Sequence, residues 1–233
     1  MNDKQESPPD YAYLSPEEIK ARGLITEDTS KNAMQTWTGK MLDVTDPDPD
    51  QIDIFDIAHH LSLMTRFNGA CKHFYSIAQH SVLCAKQAKS WHYPRPSEEK
   101  LELALLMHDA AEAYVGDIVR PLKRAMPDFV VYENKVMDAI NERFDLPRVA
   151  EISGFKRAVK EVDNRMLVTE KLQLMVPTVR WAIEGIFEPY DLELERWEPR
   201  AAEMLFLSHF ARFRPDEVQP DRLQEVMGVK INA

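Results

Sequence analysis

Residues 101–117 read LELALLMHDAAEAYVGD. The first seven are apolar on nearly every side except Glu102. A helix with that pattern is buried in a core rather than laid on a surface. It then delivers His108 and Asp109 into that core. An aspartate is almost never fully buried unless it is paired or bound to a metal. The helix is expected to run from Glu98 to about Val115, with Ser97 as its N-cap and Gly116 closing it. On such a helix Glu112 follows His108 by one turn, on the same face.

The flanking segments repeat the pattern. In a helix over about 76–90, Ile77, His80, Cys84 and Ala88 share one face at spacings of three and four. His80 therefore points inward. In a helix over 155–175, Phe155, Val159, Val162 and Met166 mark the inner face, and Asp163 lies on it. Taken singly, each residue has a plain reading. An inward His is often a hydrogen-bonded core residue, Asp163 would suit a buried ion pair with Arg157 or Arg66, and Glu112 would suit a solvated surface. Jointly, two imidazoles and two carboxylates on inward faces of three helices fit one divalent ion. Mixed N and O donors suit Mn, Fe, Co, Ni or Zn better than Ca or Mg.

Elsewhere helices are expected over about 53–64, 128–143 and 200–213, with a hairpin or turn around Trp37–Leu42. Ser15-Pro16-Glu17-Glu18 reads as a capping box opening a short helix that stops at Gly23. The acidic loop Thr45–Asp50 lacks the Gly and distal Glu of a calcium loop. The expected fold is all-α: a helical bundle with one buried metal site and a possible small N-terminal hairpin. Its parts are an N-terminal extension, partly mobile, over 1–35, one domain over 36–214, and a C-terminal tail over 215–233.

Composition narrows the function. The chain has 233 residues, net charge −10, 44% hydrophobic and 29% charged residues. Gripping a nucleic-acid polymer needs clustered Lys and Arg, which this acid balance disfavours. The N-terminus carries no apolar signal segment, and no apolar run approaches about 18 residues, so no membrane span is expected. The two cysteines, Cys71 and Cys84, read as free thiols of a cytoplasmic protein.

The ordered pattern His80, His108-Asp109, Asp163, with HDAAEAYVGD over 108–117, resembles the HD-domain phosphohydrolases over about Asp53 to Met175, and weakly to Phe213. Within them, DIAHHLSLMTRFNGACKHFYSIAQHSV over 56–82 and GDIVRPLK over 116–123 are similar to bacterial 5′-deoxynucleotidases and to phage dATP and dNTP triphosphohydrolases. The resemblance implies that His80, His108, Asp109 and Asp163 hold one divalent transition metal. It implies that Glu112 acts on the attacking water and that Arg66 contacts phosphate. Phe67 would shape the sugar pocket, where the deoxynucleotidases carry Trp. Asp117 would hold the 3′-hydroxyl, and Pro121 and Lys123 would line the base and phosphate sides. Lys72 is a further candidate for phosphate charge, beside Arg120 and Arg124. The segment before Asp53, with Trp37-Thr38-Gly39, lies outside the shared core and would cover the pocket. The expected substrate is a small deoxynucleotide, hydrolysed by a homo-oligomer. The alternatives are a non-catalytic nucleotide sensor and a di-iron oxygenase drawing on His59, His60 and His73.

Overall fold

A computed structural model describes residues 32–90, 98–146 and 154–227. The expected Ser15–Gly23 helix, the Ser97 cap and His92 lie outside the described residues. The described chain is mostly helical. Its two short strands, β1 (Ala33–Gln35) and β2 (Met41–Asp43), pair antiparallel, with Met34 opposite Leu42. The turn between them uses Gly39 at φ +85°, a conformation that L side chains rarely adopt.

Nine helices follow among the described residues: α1 (Ile54–Leu63), α2 (Ile77–Lys86), α3 (Glu98–Met107), α4 (Glu112–Val115), α5 (Arg120–Ala125), α6 (Pro127–Arg143), α7 (Phe155–Leu174), α8 (Pro199–Ala211) and α9 (Pro220–Met227). The first two are capped as their sequences dictate. Asp53 accepts from the Phe55 N–H, and Ser76 from the Gln79 N–H. Helix α2 sits at the centre, packed on α3, α8 and α7, while α1 lies on α8 and α4. One apolar core runs from Leu42 to Val218, with Phe55, Tyr75, Phe155, Phe206 and Phe210 fully enclosed. Each such side chain stabilises the fold by roughly 1.5–3 kcal/mol.

The expected long helix over 98–115 is divided. α3 ends at Met107, and residues 108–111 form a turn before α4. The Ala110 N–H bonds Met107 O, Glu112 bonds Asp109 O and Ala113 bonds Ala110 O, each reaching back three residues rather than four. This tighter winding swings His108 and Asp109 out of the regular helical path. Two further segments are helical where none was expected. α5 follows Gly116, and α9 lies within the stretch read as a tail, where Leu223, Val226 and Met227 pack on the core and Arg222 pairs with Asp53.

The hairpin is held on α1, away from the large cavity, whose lining does not include Trp37, Thr38 or Gly39. The hairpin, a described part of the segment expected to cover the pocket, does not line it. The fully buried Asp56 accepts from the Thr38 N–H at 2.6 Å and the Thr38 hydroxyl at 2.8 Å. The Trp37 ring stacks on His59 at 3.9 Å, and the Trp37 N–H donates to His60 Nε2 at 3.3 Å. Asp56→Ala would strand two donors and is expected to cost about 1–3 kcal/mol. That loss reads as a fall of several degrees in Tm, with the metal affinity unchanged.

Candidate metal centre

His80 on α2 is fully buried. Its Nδ1–H donates to Glu170 Oε1 on α7 at 2.6 Å, which leaves the Nε2 lone pair facing inward. His108 is set the same way from the α3–α4 turn: its Nδ1–H donates to Leu105 O at 2.7 Å. The two Nε2 atoms then face each other at 3.2 Å. Two lone pairs that close require a proton or a cation between them.

Carboxylates surround the same point. Asp109 Oδ2 lies 3.2 Å from His108 Nε2 and 3.6 Å from His80 Nε2, and Asp163 Oδ1 lies 3.7 Å from His80 Nε2. The electrostatics are mutual. Burial works against a charged His108, yet the adjacent Asp109 and Asp163 hold its ring up to about 9. Burial also pushes the Asp109 carboxyl upward, and His108, His80 and Arg66 overcome it and hold it well below the ordinary range. Asp163 is held low against burial and the Asp109 charge, chiefly by His108 and His80.

His80, Cys84 and His108 form a group that could hold a metal ion, their donor atoms lying within 4.8 Å of one another. Cys84 Sγ is 3.5 Å from His80 Nε2. Burial and the neighbouring carboxylates Asp163 and Glu170 push this thiol well up, so without a metal it keeps its proton. Asp109 lies beside both Nε2 atoms and Asp163 beside that of His80, both carboxyls held low, so they too could donate to such an ion. Both cysteines are free.

The outer oxygen of Asp163 accepts from Arg120 Nη2 at 3.0 Å and Lys160 Nζ at 2.8 Å. Arg66, one of the two partners the sequence suggests, is engaged elsewhere. Its Nε donates to Glu170 Oε2 at 3.1 Å, and its Nη1 lies 3.5 Å from Asp109 Oδ2. Glu170 also accepts from the Tyr75 hydroxyl at 2.9 Å. Burial opposes its charge, but Arg66 and His80 keep its carboxyl below the usual range. Sequence reading missed this residue, although it lies seven after Asp163 and so on the same helical face. Glu170→Gln is expected to weaken metal binding 10- to 100-fold, roughly the effect of losing an outer-shell partner. A competition titration with a chelating indicator would read that loss.

A cavity of about 720 Å³ opens beside the centre, lined by Arg66, Phe67, Asp109, Glu112, Asp117, Pro121, Lys123 and Asp163, and also by Trp181. Glu112 is 7% exposed, and its Oε2 is buried without a protein partner. Its Oε1 is 3.9 Å from Lys123 Nζ, which is itself held by Glu133 at 2.6 Å. Burial, then Asp109 and Asp117, push the Glu112 carboxyl well up. Asp117 is raised too, mainly by burial. Phe67 reaches the cavity from a short turn, Arg66–Gly69, in which it adopts φ +56° and Asn68 φ +52°. Lys72 does not line the cavity. Its Nζ donates to Gln173 O at 2.7 Å and its N–H to Leu174 O at 2.8 Å, the open carbonyls at the end of α7. The expected phosphate role for Lys72 is not met for that reason.

His59, His60 and His73 are occupied away from the centre. His59 contacts Glu203 Oε1 at 3.1 Å, His60 Nδ1–H donates to Ala113 O at 2.8 Å, and His73 contacts Phe74 O at 3.0 Å. Among the described residues, no helix is long and apolar enough to cross a membrane.

The chain is 41% identical over 141 residues to the uncharacterized protein YfdR of Escherichia coli (strain K12), an alignment spanning 60% of this chain and 71% of YfdR. An uncharacterized protein of Rhodobacter capsulatus is 36% identical over 133 residues, spanning 54% of this chain and 65% of that relative. No protein-family model matches the chain.

Proposed function

We propose that this chain, which belongs to the family of Escherichia coli YfdR, is a metal-dependent phosphohydrolase of the HD-domain type, acting on deoxynucleoside 5′-phosphates. The observation that carries the reading is the convergence of His80, His108, Asp109 and Asp163, with Asp109 and Asp163 sharing a cavity wall with Glu112, whose buried Oε2 has no protein partner. The donor set fits one divalent transition ion, because both imidazoles aim Nε2 at one point, where a bound cation would replace the proton between them, and both carboxyls are held low. Such an ion, when bound, would lower the pKa of a water and polarise a phosphoryl oxygen.

The chain's own residues supply the rest. Glu112 accepts a proton from the attacking water as the new P–O bond forms and the bond from phosphorus to the 5′-oxygen breaks. Its Oε2, buried beside the donor set and without a protein partner, is placed for that proton. Arg66, braced by Glu170, presents its guanidinium to the phosphate. Lys123, Arg120 and Lys160 add positive charge along the cavity. Phe67, Asp117 and Pro121 form the walls for sugar and base. A monophosphate would give deoxynucleoside and phosphate, and a triphosphate would give deoxynucleoside and tripolyphosphate.

The buried base beside the donor set favours turnover over sensing, and the engaged His59, His60 and His73 lend no support to a di-iron site. The test is a product assay. Metal-loaded protein is incubated with each dNTP, dNMP and rNMP, and products are separated by chromatography. Release of deoxynucleoside is the expected result. No product from any of them, with metal bound, would overturn the reading.

A further inference from the structure

The segment after α7 is a surface excursion, with Val176, Val179 and Ile186 exposed at 67%, 61% and 73%. Trp181 on that excursion nevertheless turns inward, half-buried, and lines the cavity together with Met175 and Ile183. The excursion is pinned rather than loose. Lys171 Nζ on α7 pairs with Glu184 at 2.7 Å, and Glu184 accepts from the Trp181 N–H at 2.6 Å. The indole ring is thereby held 6.2 Å from the Phe67 ring at an interplanar angle of 59°. Phe67 in turn lies under the Arg66 guanidinium, 5.4 Å from its ring centre. From the metal donors outward the order is therefore Asp109, Arg66, Phe67, Trp181: carboxylate, cation, ring, ring.

We propose that Trp181 is a specificity-determining residue: its indole forms the stacking surface for the nucleobase of the substrate. The inference rests on the phosphohydrolase reading and deepens it. The tilt toward Phe67 keeps the two rings from closing face to face, so the indole remains open to a planar group. A phosphate at Arg66 and a sugar at Phe67 would carry the base to that position. Stacking is tolerant of base identity, because every base offers a π face. The site would thus discriminate nucleotides from simple phosphate esters more sharply than it discriminates one base from another.

The test compares kcat/KM for the four deoxynucleoside 5′-monophosphates with kcat/KM for 2-deoxyribose 5-phosphate, which lacks only the base. In Trp181→Ala the ratio is expected to fall roughly 5- to 100-fold. The loss should sit in KM rather than kcat, and Trp181→Phe should recover most of it. An unchanged ratio in Trp181→Ala, or a wild type that treats the baseless ester and the nucleotides alike, would overturn the inference and leave the phosphohydrolase standing. A metal-loaded wild type that hydrolyses neither substrate, nor any of the four dNTPs, would remove the phosphohydrolase reading, and the inference with it; turnover of dNTPs alone would move the same comparison of wild type and Trp181→Ala to a dNTP against 2-deoxyribose 5-triphosphate.

Discussion

Asp109→Ala is expected to abolish both metal retention and turnover. Asp109 lies beside both inward-facing Nε2 atoms, at 3.2 Å from that of His108 and 3.6 Å from that of His80. Its charge also holds the site together, pairing with Arg66 and raising the His108 ring. Without it the donor set loses one anion, and one imidazole takes up a proton more weakly and binds a cation less well. If the ion supplies several kcal/mol to the transition state, its loss costs about 10³-fold or more in rate. Metal content by plasma emission and nucleoside release by chromatography would be read on the same preparation. Full activity in metal-free Asp109→Ala protein would refute the assignment.

Glu112→Gln is expected to separate chemistry from metal binding. The variant should keep its metal, since Glu112 lies outside the donor set, while turnover falls by roughly 10²–10⁴. It should also be more stable when metal-free. The carboxyl of Glu112 is raised on folding, so the ionised group weakens the fold. For a raised acid, stability is full below its unfolded pKa and is lost as pH rises through the folded one. The gain from Gln is therefore absent in acid and present at neutral and alkaline pH. It would read as a few degrees in the melting midpoint, at about 2–4 °C per kcal/mol for a chain of this size. A variant that loses activity and stability together would instead mark Glu112 as a packing residue.

The parts legible in sequence were those set by helical period. His80 and Asp163 sit on apolar stripes of α2 and α7, and the structure finds both buried and facing each other. The all-apolar run Leu103–Met107 announced a buried helix. What escaped reading depends on local bonding or on tertiary placement. The break at His108 comes from bonds that reach back three residues instead of four. Lys72 looked available for phosphate because nothing in its neighbourhood shows that the end of α7 lies beside it. Arg120 reaches Asp163 across 43 positions of sequence. Trp181 follows a proline-bounded stretch with no periodicity, and only the folded chain brings it to Phe67. Glu170 was readable from its spacing to Asp163, yet its role emerged only with His80 seen 2.6 Å away.

The most direct test of the central claim is hydrolysis, in ¹⁸O-labelled water, of the deoxynucleoside 5′-phosphate (mono- or triphosphate) that the product assay identifies, with metal-loaded and with chelated wild-type protein. The account predicts deoxynucleoside release only when metal is present, with the label carried entirely in the phosphate or tripolyphosphate. Equal turnover after chelation, or label in the 5′-hydroxyl of the nucleoside, would contradict it.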